Sequence, residues 1–136
     1  MKVLVDTSVW SLALRRSKEH EHPVTLLLKS LVGDGRAAMF GPIRQEILSG
    51  IKSKEQFISL RDHLKAFPDI VLTTEDYEEA ARFFNLCRAN GIQGSNTDFL
   101  ICATASRRDM PILTTDKDFA EFAKVLPIEI YPEEGR

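Results

Sequence analysis

A chain of 136 residues is long enough for one ordinary domain with a real core. With 43% apolar and 28% charged residues it is globular, which excludes a disordered polar tail. A net charge of −2 argues against binding nucleic acid by bulk electrostatics alone, but not against an enzyme that meets phosphates through a metal and a few basic side chains.

In chain order, Lys2-Val3-Leu4-Val5 reads as a short buried strand, apolar without alternation as in a parallel sheet, and it ends on Asp6-Thr7-Ser8. The N-terminus enters this strand with no signal-peptide pattern, and no apolar run approaches the ~20 residues of a membrane span. A cytoplasmic protein without membrane contact is therefore expected. Ser8 to Leu14 turns helical, with Trp10 either core or interfacial, and Ser17 to His22 is a charged loop. Within it His20-Glu21-His22 has a metal-binding reading, weighed against a solvated loop.

Pro23 opens a helix with Leu26, Leu27, Leu28, Leu31 and Val32 on its buried side, closed by Gly33 and Gly35. Ala37 to Phe40 is a second strand. Gly41-Pro42 starts a helix that carries Glu46, with Ile43, Ile47 and Leu48 inward and Gly50 near its end. Lys54 to Phe67 is amphipathic through Phe57, Ile58, Leu60 and Leu64, and Pro68 stops it. Ile70-Val71-Leu72 is a strand. Thr74 is the expected cap of the next helix, whose first turns hold Glu75, Asp76, Glu78 and Glu79.

That helix ends near Gly91. After a polar loop, Asn96 or Thr97 caps a helix running to Ser106, with Asp98 in its first turn. Pro111 to Thr114 is a strand that leads through Thr115 to Asp116-Lys117-Asp118. Asp118 to Lys124 is helical, and Ile128-Glu129-Ile130 is a last strand. Alternating strands and helices make an α/β fold with a parallel sheet, expected as a single domain over residues 1–136. Cys87 and Cys102 both sit in helical patterns and read as buried free thiols rather than a disulfide or metal pair.

Asp6 and Asp116 end two strands of one sheet. In α/β folds, carboxylates at strand C-termini face the ligand crevice. If the two strands are neighbours, both side chains emerge at one edge. Asp98, at a helix start, and Glu46, on a helix that follows a strand, can approach the same edge. Such a cluster raises its own pKa values unless a cation sits within it. Oxygen donors of this kind suit Mg²⁺ or Mn²⁺, and no Cys-x-x-Cys offers a softer set. Each acid has a plainer reading: Asp6 ending a strand in a turn, Glu46 solvated or salt-bridged, Asp98 as a helix-start residue, and Asp116 as a turn or cap. Asp118 reads as a helix cap or a supporting group.

Several segments together resemble a known family. Val-Leu-Val-Asp-Thr-Ser-Val-Trp at the start, Pro42 to Gly50 with Glu46, Asn96 to Ala105 with Asp98, and Ile112 to Phe119 with Asp116 are similar to the motifs of PIN-domain nucleases, more narrowly of VapC-type toxins. The resemblance spans nearly the whole chain. It implies a short parallel sheet surrounded by helices and Mg²⁺- or Mn²⁺-dependent RNA cleavage. Asp6, Glu46, Asp98 and Asp116 would form the acidic quartet, and Thr7 or Ser8 and Thr114 or Thr115 would supply orienting hydroxyls. It leaves open whether Asp116 or Asp118 helps hold metal. It further implies a homodimer, blocked by a cognate antitoxin.

For such an enzyme Arg15, Arg16, Lys18, Arg44, Lys52, Lys54, Arg107, Arg108 and Lys117 are the candidates for phosphate contact. Two other classes remain. One is phosphoryl transfer by an aspartyl nucleophile at Asp6, weakened because position 8 is Ser where haloacid-type phosphatases need a second aspartate. The other is a non-catalytic module that docks protein or RNA through its apolar helices.

Overall fold

A computed structural model describes residues 1–14 and 22–132 of the chain. Arg15, Arg16, Lys18, His20 and Glu21 therefore lie outside the described residues. His22 is described, and its Nδ1 accepts the Val24 N–H at 3.0 Å as the cap of a helix.

Among the described residues eleven elements follow in order: β1 (Val3–Val5), α1 (Thr7–Leu14), α2 (Pro23–Gly33), β2 (Ala37–Phe40), α3 (Gly41–Leu48), α4 (Lys54–Leu64), β3 (Asp69–Ile70), α5 (Thr74–Ala89), α6 (Asn96–Arg107), β4 (Ile112–Leu113) and α7 (Asp118–Phe122). The four strands form a parallel sheet in the order β3-β2-β1-β4. Val3, Leu4 and Val5 are wholly buried, as expected for a central parallel strand covered on both faces. Sheet and helices share one core, in which Phe40, Phe83, Phe99, Phe119 and Phe122 are its largest fully buried side chains. Trp10 belongs to that core at 4% exposure, donating Nε1–H to the Val5 carbonyl at 3.1 Å. Cys87 and Cys102 are free and buried.

Several boundaries differ from the expectation, each for a local reason. The third strand is Asp69–Ile70 rather than Ile70 to Leu72. It pairs only with Met39 and Phe40 at the sheet edge, and Val71 already projects into solvent at 81% exposure. The last expected strand reduces to a single parallel bridge between Ile112 and Ile130, because Pro127 and Pro132 bracket the segment and lack ladder donors. α1 starts one residue earlier, at Thr7, while α4 and α7 stop at Leu64 and Phe122, short of Phe67 and Lys124.

The caps are Thr73, not Thr74, for α5 and Ser95, not Asn96 or Thr97, for α6. Gly91 has φ +74°, a left-handed conformation that lets the chain turn back between α5 and α6. Not all of the apolar helix residues are inward. Leu26 and Val32 on α2, and Phe57 and Ile58 on α4, are exposed.

Candidate active site

The strand order sets the position of the site. From β1 the chain builds outward to β2 and β3 on one side, then returns to place β4 on the other. β1 and β4 therefore flank the point where strand order reverses, and the crevice beyond their carboxyl ends is where such sheets bind ligands. Asp6 follows β1 directly, and its N–H donates to the Leu113 carbonyl of β4 at 2.9 Å. Asp116 lies three residues beyond Leu113, the last residue of β4.

Two hydroxyls stitch these strand ends together. Ser8 Oγ donates to Asp6 Oδ2 at 2.7 Å and accepts the Thr115 N–H at 3.1 Å. Thr114 Oγ1 donates to the same Asp6 oxygen at 2.8 Å and accepts the Asp116 N–H at 2.9 Å. Asp116 Oδ1 in turn accepts the Asp118 N–H at 2.9 Å, which starts α7. On α3, Glu46 Oε1 accepts from Thr7 Oγ1 at 2.6 Å. At the start of α6 a reciprocal capping box holds Asp98. Its N–H donates to Ser95 Oγ at 3.1 Å, and its Oδ2 accepts the Ser95 N–H at 2.9 Å.

The four acids thus share one pattern. Each commits one carboxylate oxygen to the protein: Oδ2 of Asp6, Oε1 of Glu46, Oδ2 of Asp98 and Oδ1 of Asp116. No hydrogen bond among the described residues uses the other oxygen, and no ion pair among them involves any of the four. All four line one cleft of about 610 Å³, together with Thr7, Ser8, Pro42, Gln45, Ser49 and Thr97. Burial pushes the Asp98 carboxyl above its usual range, opposed by the two Ser95 hydrogen bonds and assisted by the charges of Asp116 and Asp6. Below it, burial pushes the Cys102 thiol well up, so it stays protonated and offers no soft ligand.

Among the described residues, no three His, Cys, Asp or Glu side chains gather tightly enough to hold a metal ion by themselves. The donor set nevertheless suits a hard cation that keeps part of its water shell: oxygens only, one unused on each acid, around a space wider than a bare ion.

A family model described as PIN domain matches residues 3–125. The chain belongs to the PIN domain family. PIN domains are generally nucleases and generally use divalent metals. Several solved structures share the fold of this PIN domain. One is VapBC2 from Rickettsia felis bound to a DNA fragment from their promoter, at 18% identity and a TM-score of 0.76 over 96% of this chain and 97% of that one. Another is FitAcB from Neisseria gonorrhoeae, at 18% identity and 0.74 over 96% and 97%. A third is VapBC-5 from Mycobacterium tuberculosis, a member of the VapBC family of toxin-antitoxin systems, at 19% identity and 0.68 over 95% and 96%. No curated protein matches the chain.

Some expected residues lie elsewhere than at the cleft. Thr115 and Asp118 reach the network through backbone N–H groups, and neither lines the cleft. Three expected phosphate contacts are occupied in building the PIN fold. Arg44 bonds Asp69 at 3.0 Å and the Leu64 carbonyl at 2.9 Å, with a further bond to the Phe67 carbonyl. Arg107 and Arg108 both pair with the buried Asp76. Lys52, Lys54 and Lys117 remain exposed.

Gln45, Ser49 and Thr97 are cleft residues with no role in the expected site. The first two have a legible signal. Pro42, Gln45, Glu46 and Ser49 recur at i, i+3, i+4 and i+7, which makes one helix face, while Ile43 and Ile47 fill the other.

Proposed function

We propose that this PIN domain is a Mg²⁺- or Mn²⁺-dependent endoribonuclease, the toxin half of a toxin–antitoxin pair, acting in the cytoplasm as a homodimer. One observation carries the catalytic part: four carboxylates around one cleft, each anchored by one oxygen, with no ion-pair partner among the described residues. Asp6 and Asp98 would hold the cation, with Glu46 and Asp116 contributing directly or through water. The chemistry a divalent cation supplies there is polarisation of a phosphodiester and acidification of a water molecule.

The chain's own residues do the rest. Ser8 and Thr114 fix the Asp6 carboxylate, and Thr7 fixes that of Glu46. Glu46, the most exposed of the four acids, would orient the attacking water and take its proton. Since water rather than a ribose hydroxyl attacks, the expected products carry 5′-phosphate and 3′-hydroxyl ends. Of the basic residues expected to contact phosphate, Lys52, Lys54 and Lys117 are the described ones left to meet the RNA backbone.

Two features support a protein partner. The similar structures include a member of a toxin-antitoxin family. A groove of mixed character and about 770 Å³ also opens between α1, α3 and α4, lined by Leu14, Ile47, Ile51 and Leu60 beside polar residues such as Gln56 and His63, with Phe57 and Ile58 exposed on α4. Incubating total tRNA and rRNA with the protein and Mg²⁺ or Mn²⁺ tests the enzymatic reading, with Asp6→Asn as control. Cleavage that survives in Asp6→Asn, or wild-type protein that binds no Mn²⁺ by calorimetry, overturns it. The second outcome would favour a non-catalytic binding module.

A further inference from the structure

Asp98 is held by a loop whose path has its own cause. Gly94 precedes the capping residue Ser95. A Cβ at Gly94 would lie 2.6 Å from Phe122 Cζ, 3.0 Å from Phe122 Cε1 and 3.0 Å from Phe99 Cζ. Those rings are not free to yield. Phe122 is wholly buried and Phe99 is 1% exposed. They pack against each other with centroids 5.0 Å apart, Phe119 lies 5.2 Å from Phe122, and Phe84 lies 5.5 Å from Phe99. Only a residue without a side chain lets the loop press onto this aromatic cluster. One residue on, the Ser95 N–H binds Asp98 Oδ2 and Ser95 Oγ accepts the Asp98 N–H.

We propose that Gly94 and Ser95 are positioning residues for Asp98: the loop seated on Phe99 and Phe122 fixes the Ser95 N–H, which restrains one oxygen of Asp98 and leaves the other for a cation in the cleft. This rests on the reading of the four acids as a cation site. The helix cap doubles as the clamp on a ligand. Outer groups that orient a metal ligand are worth about 10–100-fold in metal affinity.

The test titrates Mn²⁺ alone into wild type, Gly94→Ala, Phe122→Leu and the Gly94→Ala/Phe122→Leu double variant, by calorimetry and by the Mn²⁺ spin-resonance signal. Far-UV circular dichroism checks the fold of each. Gly94→Ala should bind Mn²⁺ about tenfold more weakly or worse. Phe122→Leu, which removes the Phe122 ring atoms that the new Cβ would strike and leaves only the Phe99 contact, should bind less weakly than Gly94→Ala, and the double variant should recover part of the loss. A merely structural glycine would lower stability without this pattern in affinity.

Ser95→Ala and Ser95→Thr give a second arm that leaves the aromatic core alone. Ser95→Ala should weaken Mn²⁺ binding, and Ser95→Thr, which keeps the cap, should restore it. Gly94→Ala and Ser95→Ala both binding Mn²⁺ like wild type would overturn the inference and leave the cation reading intact. If Gly94→Ala does not fold, the Ser95 pair decides alone. No Mn²⁺ binding by wild type would overturn the cation reading, and the inference with it.

Discussion

Asp76 and Asp98 stand at the same position of the same local motif and end in opposite environments. Each is three residues after a hydroxyl-bearing helix cap, Thr73 or Ser95, and each accepts that cap's backbone N–H, at 2.8 and 2.9 Å. Asp76 is wholly buried. Its Oδ1 accepts from Arg107 at 2.9 Å and Arg108 at 2.8 Å, and its Oδ2 accepts from Arg108 at 2.8 Å. Arg108 holds its carboxyl well below the usual range, helped by the Thr73 backbone and by Arg107. Asp98 has one oxygen bound, no arginine partner among the described residues, two other carboxylates near it, and a carboxyl pushed up by burial. A carboxylate whose charge the protein balances ties α5 to α6. One whose charge the protein leaves unbalanced faces the cleft, where an added cation is the natural partner.

The largest test of this contrast replaces each acid by its amide. Asp98→Asn should lower RNA cleavage by at least about a hundredfold, a few kcal/mol of transition-state stabilisation. Without metal it should melt slightly above wild type, since Asn can still accept the Ser95 N–H and no longer carries a half-buried charge. Thermal melts with and without Mn²⁺ read this directly: the Mn²⁺-dependent rise in Tm should vanish in the variant. A marked loss of stability in metal-free Asp98→Asn would show that the carboxylate is structural after all.

Asp76→Asn should do the reverse. It leaves Arg107 and Arg108 partly buried without their counter-charge, at a cost of about 3 kcal/mol. The arginine side chains are 38% and 23% exposed, so water recovers part of the penalty and keeps it at the low end of such losses. Denaturant unfolding should show the loss, while cleavage per folded molecule and Mn²⁺ affinity stay near wild type.

The same contrast predicts opposite responses to acid. Asp76 has a lowered folded pKa, so its contribution is fully present above the unfolded value near ~3.9 and is lost as pH falls below it toward the folded pKa. Asp98 has a raised folded pKa, so protonating it as pH falls toward its unfolded value relieves the folded state. In metal-free protein, wild type should therefore lose stability below about pH 4, and Asp76→Asn should lose less over the same range. Identical acid profiles for the two proteins would break the argument.

Much of this was legible in the residues themselves. The unalternating Val3-Leu4-Val5 run announces a central parallel strand, and an aspartate at its end announces the crevice. The Ser95-x-x-Asp98 spacing is itself a readable capping box. It is obscured by Asn96 and Thr97, either of which makes an acceptable cap when no neighbour decides between them. What could not be read was partnership across elements. Nothing local distinguishes Arg107 and Arg108, which close on an acid 31 and 32 residues earlier, from cations that face a substrate. Nor does the sequence say that Phe122 lies over Gly94, since that contact exists only once α6 and α7 pack.

The smallest expected effect separates the two caps. Ser95 Oγ accepts a helix N–H at 3.1 Å, so Ser95→Ala should cost about 1 kcal/mol of stability, as for other lost N-caps. The Thr73 hydroxyl instead donates to Asp76 Oδ2 at 3.3 Å, on a carboxylate already holding two arginines and a backbone N–H. Removing it leaves no buried group unpaired, so Thr73→Ala should cost only about half as much. Ser95→Ala should also disturb Mn²⁺ binding, whereas Thr73→Ala should not, because the acid it touches is already neutralised within the fold. If the two caps prove equal in both respects, the arginines are not what divides a structural carboxylate from a functional one in this protein.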